Sequence, residues 1–531
     1  MIITMRYFDH HIANPLLALT LLLASGCHGS VSTSEPAEQS TSSTMVTLRT
    51  SVIGSMGTRA VSESNADPLD GSGEGEVHVL NLWLAKEGWM KGDPDRTNPP
   101  IYQATFKVNG VQNPEVRDYT ILLNGHKLDL PGISRQASTM IDISEIAKLT
   151  DAEGFTMTGN VDLKATIKPD ITEPQRPDNN VFPTDGALPV ERVVSKAQLY
   201  KKSGFAVTGV PGTIVSNSLH WAVAGSGKKV YLYRNQAGDR TMGADGIYDG
   251  LTTASDESDL MKLSDVIKNT TDEGNFAWKE LSGTASGKKS VADGIYFYEH
   301  ALTKPKGQAN PYPRTVGYDK VTYAKVYGDL GKISKGKKVK DGVTPTTSAD
   351  LTTTTATDFS GERKYDVTVT KAWYDKMKPT LGGQLTKSGD VYTQHIVDKP
   401  GTFYVGANGV IYNTLLAAMA DGNKSARKYT GGRMVYLTPL NAQGEPGKIF
   451  NCDTRRNNIY DLAITGITGL GYNYDPVDPD DPYIPKPNDN PLEPNPEIPS
   501  INDTEITIRV KARVLNWNYI HQSYDLLGET K

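Results

Sequence analysis

Cys452 lies close to Arg455 and Arg456, a setting that could draw a thiol toward its anion. The plainer reading is a small hydrophobe or a lone surface thiol. His78, His126, His220, His300, His395 and His521 are scattered without ligand spacing, and His10 and His11 fall in a segment that export removes. No metal site is therefore expected. Residues 239–249 run Asp-Arg-Thr-Met-Gly-Ala-Asp-Gly-Ile-Tyr-Asp. They are faintly like a calcium loop but lack its alternate acidic or amide residues and closing glutamate, so a Gly-rich hairpin is the plainer alternative. There is no phosphate-cradling loop and no Gly-x-Ser-x-Gly elbow. No pair of carboxylates can be singled out for glycoside hydrolysis. Lys332, Lys335, Lys337, Lys338 and Lys340 form a basic run that could meet an anionic glycan or simply be a solvated loop. The expectation is no enzyme, no cofactor and no metal.

The chemistry that does stand out is processing. Residues 1–27 have a weakly basic start (Arg6, His10 and His11, opposed by Asp9) and an apolar region, Leu16 to Leu23. That region is too short to span a bilayer and fits an export signal. It ends Leu23-Ala24-Ser25-Gly26-Cys27, small residues before a cysteine, as in a bacterial lipobox. Cys27 is the expected lipidation site; an ordinary signal peptide containing a cysteine is the alternative. With Cys27 committed there, the second of only two cysteines cannot build a disulfide framework. A polar tract from His28 to Thr44 suits a tether. Beyond the alternating segment Met45 to Ile53 come Gly54-Ser-Met-Gly57, Thr58-Arg59-Ala60 and an acidic, Gly-rich loop to Gly75. A basic residue in such a loop is a preferred site of proteolysis. Arg59–Ala60 is the expected cut. Arg49 is the second choice, because a strand ladder would protect it.

These sites need elements to carry them. Val46, Leu48 and Val52 share one face of the first strand, with Thr50 in register. At the other end, Ile506, Ile508, Val510, Ala512 and Val514 alternate with Thr507, Arg509, Lys511 and Arg513, and Trp517 follows. This second strict period-two run sits beyond a Pro- and Asp-rich linker, 475–500, which as polyproline II would reach about 80 Å. A strand so tethered needs a groove to lie in.

Between the two runs the chain reads as short strands. Val77 to Leu84 is apolar enough to be buried on both faces, and Asn124-Gly125 makes a turn. Asp142 to Leu149 is a short capped helix, with Glu145 at the capping-box position. Leu260 to Ile267 is another short helix, and Val343 to Thr357 a Thr-rich surface loop. The chain has 531 residues, 50 Gly, 31 Pro and 26 Tyr, with only 22% charged residues, which favours turns and half-buried sheets. A net charge of −5 gives no electrostatic reason to bind nucleic acid. The predicted class is all-β: two tandem β-sandwiches with a few short helices and a tethered C-terminal strand. The predicted divisions are a signal peptide at 1–27, a propeptide at 28–59, an N-terminal sandwich at 60–180, a C-terminal sandwich at 181–474, the linker at 475–500 and the terminal strand segment at 501–531.

Four stretches carry a family resemblance. They are Phe155-Thr-Met-Thr-Gly159; Val190-Glu-Arg-Val-Val-Ser-Lys-Ala197; Arg456-Asn-Asn-Ile-Tyr460 with Leu470-Gly-Tyr-Asn473; and the Pro/Asp linker followed by Val514-Leu-Asn-Trp517 and Tyr524-Asp-Leu526. The chain resembles the fimbrillins of Bacteroidales, subunits of type V pili, and among them the structural subunit of the short, or minor, fimbriae. The resemblance implies transthyretin-like sandwiches and export as a lipoprotein of the outer membrane. It further implies removal of the first strand by an Arg-specific protease. The opened groove would then be filled by the C-terminal segment of a neighbouring subunit, so that a surface fibre for adhesion grows by strand exchange. Expected partners are identical or related pilins and fimbrial accessory or anchor subunits. Two alternatives stay open: an accessory or tip adhesin of the same fimbria, or a surface glycan-binding lipoprotein.

Overall fold

The computed structural model describes residues 42–52, 76–98, 101–134, 140–151, 154–159, 163–173, 179–215, 217–233, 279–281, 294–300, 316–333, 335–442, 452–479, 481, 483–484, 490–502, 508–516 and 523–525. Strands dominate, and the longest helix among the described residues is Lys371–Leu381. The predicted helix at 260–267 and the loop 239–249 lie outside the described residues.

The first sheet is built around the first strand, Ser43–Val52. Its order is Gly88–Gly92, Leu80–Leu84, Glu115–Leu123, Met157–Thr158, Leu188–Arg192, Ser43–Val52, Ile101–Asn109, Asp95–Asn98. Leu163–Ile167 pairs with Glu115–Leu123, and Val181–Phe182 with the first strand. Alternation sets the faces: Tyr102, Ala104, Phe106 and Val108 point into the core, while Ile101, Thr105, Lys107 and Asn109 face out. Leu80–Leu84 is nearly all buried, as its unbroken apolar run predicts. Asn124 and Gly125 both have positive φ, 57° and 72°, the conformation an Asn-Gly hairpin turn requires. Asn124 also accepts from the His78 N–H at 2.8 Å and donates to Phe155 O at 2.8 Å. Val181–Phe182 and Leu188–Arg192 lie on the far side of the predicted division at 180, yet they are members of this first sheet.

The short helix is tighter than predicted. Residues 143–145 form a 3-10 turn and 146–149 one α-turn. Asp142 caps it by accepting from the Ser144 N–H at 3.0 Å, while Glu145 turns outward to Lys148 Nζ.

The second region holds two sheets. In one, Gly294–Phe297, Ser195–Val207, Asn458–Ile467, Ile508–Asn516 and Ser523–Asp525 follow in order. In the other, Gly212–Ile214, Tyr323–Ile333, His220–Ala224 and Lys279–Glu280 follow, with Arg433–Pro439 beside Tyr323–Ile333. Met140–Asp142 pairs with Lys229–Tyr231, so backbone joins the first region to the second. One hydrophobic core continues through both.

Tyr323–Ile333 and Arg433–Pro439 are direct antiparallel neighbours, and the hundred residues between them form an insertion with its own core. Here the sequence-based expectation is revised. The basic run and the Thr-rich stretch, predicted as loops, contribute the paired strands Lys337–Val339 and Leu351–Thr353. Lys337 reaches Asp421 at 2.8 Å and Lys338 reaches Asp358 at 3.1 Å, so these cations are used inside the insertion. Helix Lys371–Leu381 begins at Thr370, which accepts from the Trp373 N–H, and buries Tyr374, Met377 and Leu381 along one stripe.

Candidate functional site

The site is the groove that the first strand occupies. Ile101–Asn109 runs antiparallel along one edge of that strand, with Val46 opposite Phe106, Leu48 opposite Ala104 and Thr50 opposite Tyr102. Along the other edge Val181–Phe182 and Leu188–Val190 run parallel to it. The strand is thus an interior member of the sheet, with ladders on both sides. Val46, Leu48 and Val52 are fully buried, as the alternation predicts, and so is Thr50. Thr47 and Ser51, on the opposite face, are also buried. The alternation marked the face on the core; it held no sign of the cover over the other face.

The N-terminal end of the strand is knotted to the loop before Val181. The Thr44 hydroxyl donates to Lys168 O at 2.8 Å and accepts from the Ile171 N–H at 3.0 Å. Asn180 Nδ2 reaches Thr44 Oγ1 at 3.1 Å, Met45 O at 3.1 Å and Lys168 O at 2.9 Å. Its Oδ1 accepts from the Lys168 N–H at 2.8 Å. The Met45 N–H donates to Ile171 O and the Thr47 N–H to Asn180 O. Asn180 holds φ at 40°, a left-handed conformation that asparagine tolerates better than most residues. Sequence reading missed Thr44 and Asn180 as site residues. A threonine one step outside the apolar stripe was the signal available.

On the outer face, the hydroxyls of Thr47 and Thr105 lie 3.0 Å apart, and Arg49 Nε approaches Gln103 Oε1 at 3.4 Å. Arg49 is therefore inside a paired strand, where a protease cannot take it in extended form. Arg59, Ala60 and Cys27 lie outside the described residues, as do Ile506 and Trp517.

The terminal strand, Ile508–Asn516, lies antiparallel on Asn458–Ile467 of its own subunit, with Val510 opposite Ile464. The short segment Ser523–Asp525 folds back on its outer side. Val510 is buried; for Ile508, Ala512 and Val514 the backbone alone is described. The first and last strands therefore occupy different sheets of the subunit.

The linker is not the free, extended tether that its composition predicts. Asp475 and Asp481 fold around the buried Lys325, whose Nζ lies 3.0 and 3.6 Å from their carboxylates. Arg433 stacks over Tyr483 at 4.0 Å. Asn490 Nδ2 donates to Ala426 O, and Glu493 accepts from the Lys428 N–H, so the linker is stitched to the insertion. Ser500 and Ile501 pair with Val316 and Gly317. Cation partners cancel the acidic repulsion that the sequence alone presented. Cys452 is buried, and burial holds its thiol well above the ordinary range, which makes it a small hydrophobe without reactivity. No group of three or more His, Cys, Asp or Glu among the described residues could hold a metal ion.

Residues 427–523 match the family model of the C-terminal part of fimbrillin, the type IV major fimbrial subunit protein. Over these residues, the chain carries a fimbrillin-like C-terminal region. The matched span takes in Arg433–Pro439, Asn458–Ile467, the linker and the terminal strand. Among solved structures, a putative cell adhesion protein from Parabacteroides distasonis is similar at 12% identity, covering 90% of this chain and 98% of that one, with a TM-score of 0.38. A fimbrilin from Porphyromonas gingivalis is similar at 14% identity, covering 90% of this chain and 99% of that one, with a TM-score of 0.36. The C-terminally truncated tip fimbrial protein of the same organism is similar at 12% identity, covering 90% and 100%, with a TM-score of 0.33.

Proposed function

We propose that this protein is a fimbrillin, and a shaft subunit that polymerises by donor-strand exchange. It is exported as a lipoprotein on Cys27, and an Arg-specific protease cuts at Arg59–Ala60, freeing Met45–Ile53. The terminal segment of a second copy then enters the groove. The observation that carries this reading is the first strand's position, laddered on both edges and buried, while the chain leaves it toward an arginine a few residues later. An emptied groove would expose apolar core and two rows of unpaired backbone groups. A donor strand repairs both by β-augmentation. Burying Ile506, Ile508, Val510, Ala512 and Val514 at roughly 1.5–3 kcal/mol each offers about 8–15 kcal/mol before ordering costs. In its own subunit the terminal strand has one long neighbour; in the groove it would have a ladder on each side. Because donor and acceptor surfaces differ, the contact is heterologous and continues into a filament.

The test is truncation after Asn502, which keeps the buried Ile501 in place. The truncated chain should be secreted and folded, and remain monomeric in electron micrographs after treatment with an Arg-specific protease. Fibres from it would overturn the reading.

A further inference from the structure

Residues 44–52 read Thr-Met-Val-Thr-Leu-Arg-Thr-Ser-Val, and residues 504–512 read Thr-Glu-Ile-Thr-Ile-Arg-Val-Lys-Ala. Set side by side, Thr44, Thr47 and Arg49 fall on Thr504, Thr507 and Arg509. Val46 and Leu48 fall on Ile506 and Ile508. We propose that segment 504–512 of a second copy replaces the first strand residue for residue and in the same chain direction, with Thr504 in the place of Thr44. This rests on the strand-exchange reading above and adds to it the register and the residues that set it.

The groove has specific demands at the three identical positions. At Thr44 a single hydroxyl serves Lys168 O, the Ile171 N–H and Asn180 Nδ2. A hydroxyl does both from a single atom, as that place requires. At Thr47 the side chain faces the Thr105 hydroxyl across the pair. At Arg49 it lies along Gln103, whose Nε2 in turn donates to Asp95 at 3.2 Å. Thr504, Thr507 and Arg509 meet all three demands together, while Ile506, Ile508 and Val510 take the buried places of Val46, Leu48 and Thr50.

Neighbouring registers fail. A shift by one residue turns the apolar stripe out of the core. A shift by two in one direction puts Ile506 into the polar knot at Thr44 and Arg509 against Thr105. A shift by two in the other direction puts Thr504 opposite the buried Phe106 and Glu505 opposite Thr105. The proposed register also adds a contact that the first strand lacks. Met45 sits opposite the exposed Lys107, and its place would be taken by Glu505. Opposite charges directly across an antiparallel pair are favourable. The incoming strand would therefore fit the edge Ile101–Asn109 better than the strand it replaces.

Cross-linking tests the register. The N–H of Thr47 is bonded on its far side, to Asn180 O, so Thr47 and Thr105 form a non-hydrogen-bonded antiparallel pair, whose Cα atoms come close enough for a disulfide. The full chain carrying Thr105→Cys and Thr507→Cys, matured with an Arg-specific protease and oxidised, should give a ladder of covalent multimers on a non-reducing gel that collapses on reduction. Thr105→Cys with Arg509→Cys should not. The reverse pattern, or fibres with neither cross-link, would overturn the register while leaving strand exchange standing. Failure of the unaltered chain to form fibres under the same treatment would overturn strand exchange itself. A second measurement removes dependence on the cysteine variants. Glu505→Lys should slow fibre growth at least fivefold, and Lys107→Glu in the same chain should restore it. Absence of that rescue would also overturn the proposal.

Discussion

Lys325 Nζ lies 3.0 Å from Asp475 Oδ2, and both side chains are out of solvent. Asp481 approaches the same ammonium at 3.6 Å. This buried cation lies on Tyr323–Ile333, beside Arg433–Pro439, and holds the chain soon after it leaves Asn458–Ile467. Lys325→Met takes the buried cation from both carboxylates, leaving Asp481 with Arg433 at 3.9 Å, and should cost about 3–5 kcal/mol in urea unfolding. Adding Asp475→Asn should recover at least half of the loss.

Asn180→Ala removes the side chain that ties Thr44, Met45 and Lys168 together. Leaving those buried groups unpaired should lower stability by about 1–3 kcal/mol. Hydrogen exchange should locate the effect, with the amides of Met45 and Thr47 losing protection before those of Asn458–Ile467.

Acid should weaken the fold through His300. Complete burial pushes its imidazole down to about 4, whereas in the unfolded chain it takes its proton near 6.5. Between those values the unfolded state binds more protons, so stability falls as pH drops through that window, by up to ~3 kcal/mol at its lower end. Burial pushes the Glu493 carboxyl up, which acts in the opposite sense in the carboxylate range. Unfolding followed at pH 7 and pH 4.5 should show the acid loss shrink in His300→Gln relative to the parent chain.

Processing should depend on Arg59 and not on Arg49. Arg59→Ala should leave the first strand attached, visible by mass and N-terminal sequencing, and should stop fibre growth. Arg49→Ala should be cut normally, because both neighbours of its strand protect the backbone there. A stalled Arg49→Ala and a normally cut Arg59→Ala would reverse the assignment.

Much of the sheet structure was legible because alternation is a local signal. Val46, Leu48 and Val52 face the core as their spacing predicts, and Leu80–Leu84 is nearly all buried as its apolar run predicts. Partnership was not legible. Nothing in Val181–Phe182 or Leu188–Arg192 says that they run beside the first strand, because that is decided by sheet twist and closure far along the chain. The insertion was missed for a related reason: its helices carry Pro379 or span only Leu415–Ala420, so neither gives a long periodic window. The linker misled for an electrostatic reason. Asp475 and Asp481 repel in isolation, and the cation that gathers them stands on a strand about 150 residues earlier. At the groove, the apolar stripe was plain, while Thr44 and Asn180 carry their meaning only in three dimensions.

The ladders on both edges of the first strand also govern how it can depart. A strand gripped on two sides cannot peel away sideways, and cutting the loop beyond it breaks none of those bonds. Were it to leave, it would do so by fraying from an end, each residue that frays uncovering one site on each flanking strand. An arriving strand of the same direction and register can occupy those sites as they appear, advancing as the other retreats. Under the strand exchange proposed above, assembly would then be a stepwise displacement, with each newly uncovered site refilled by the incoming strand.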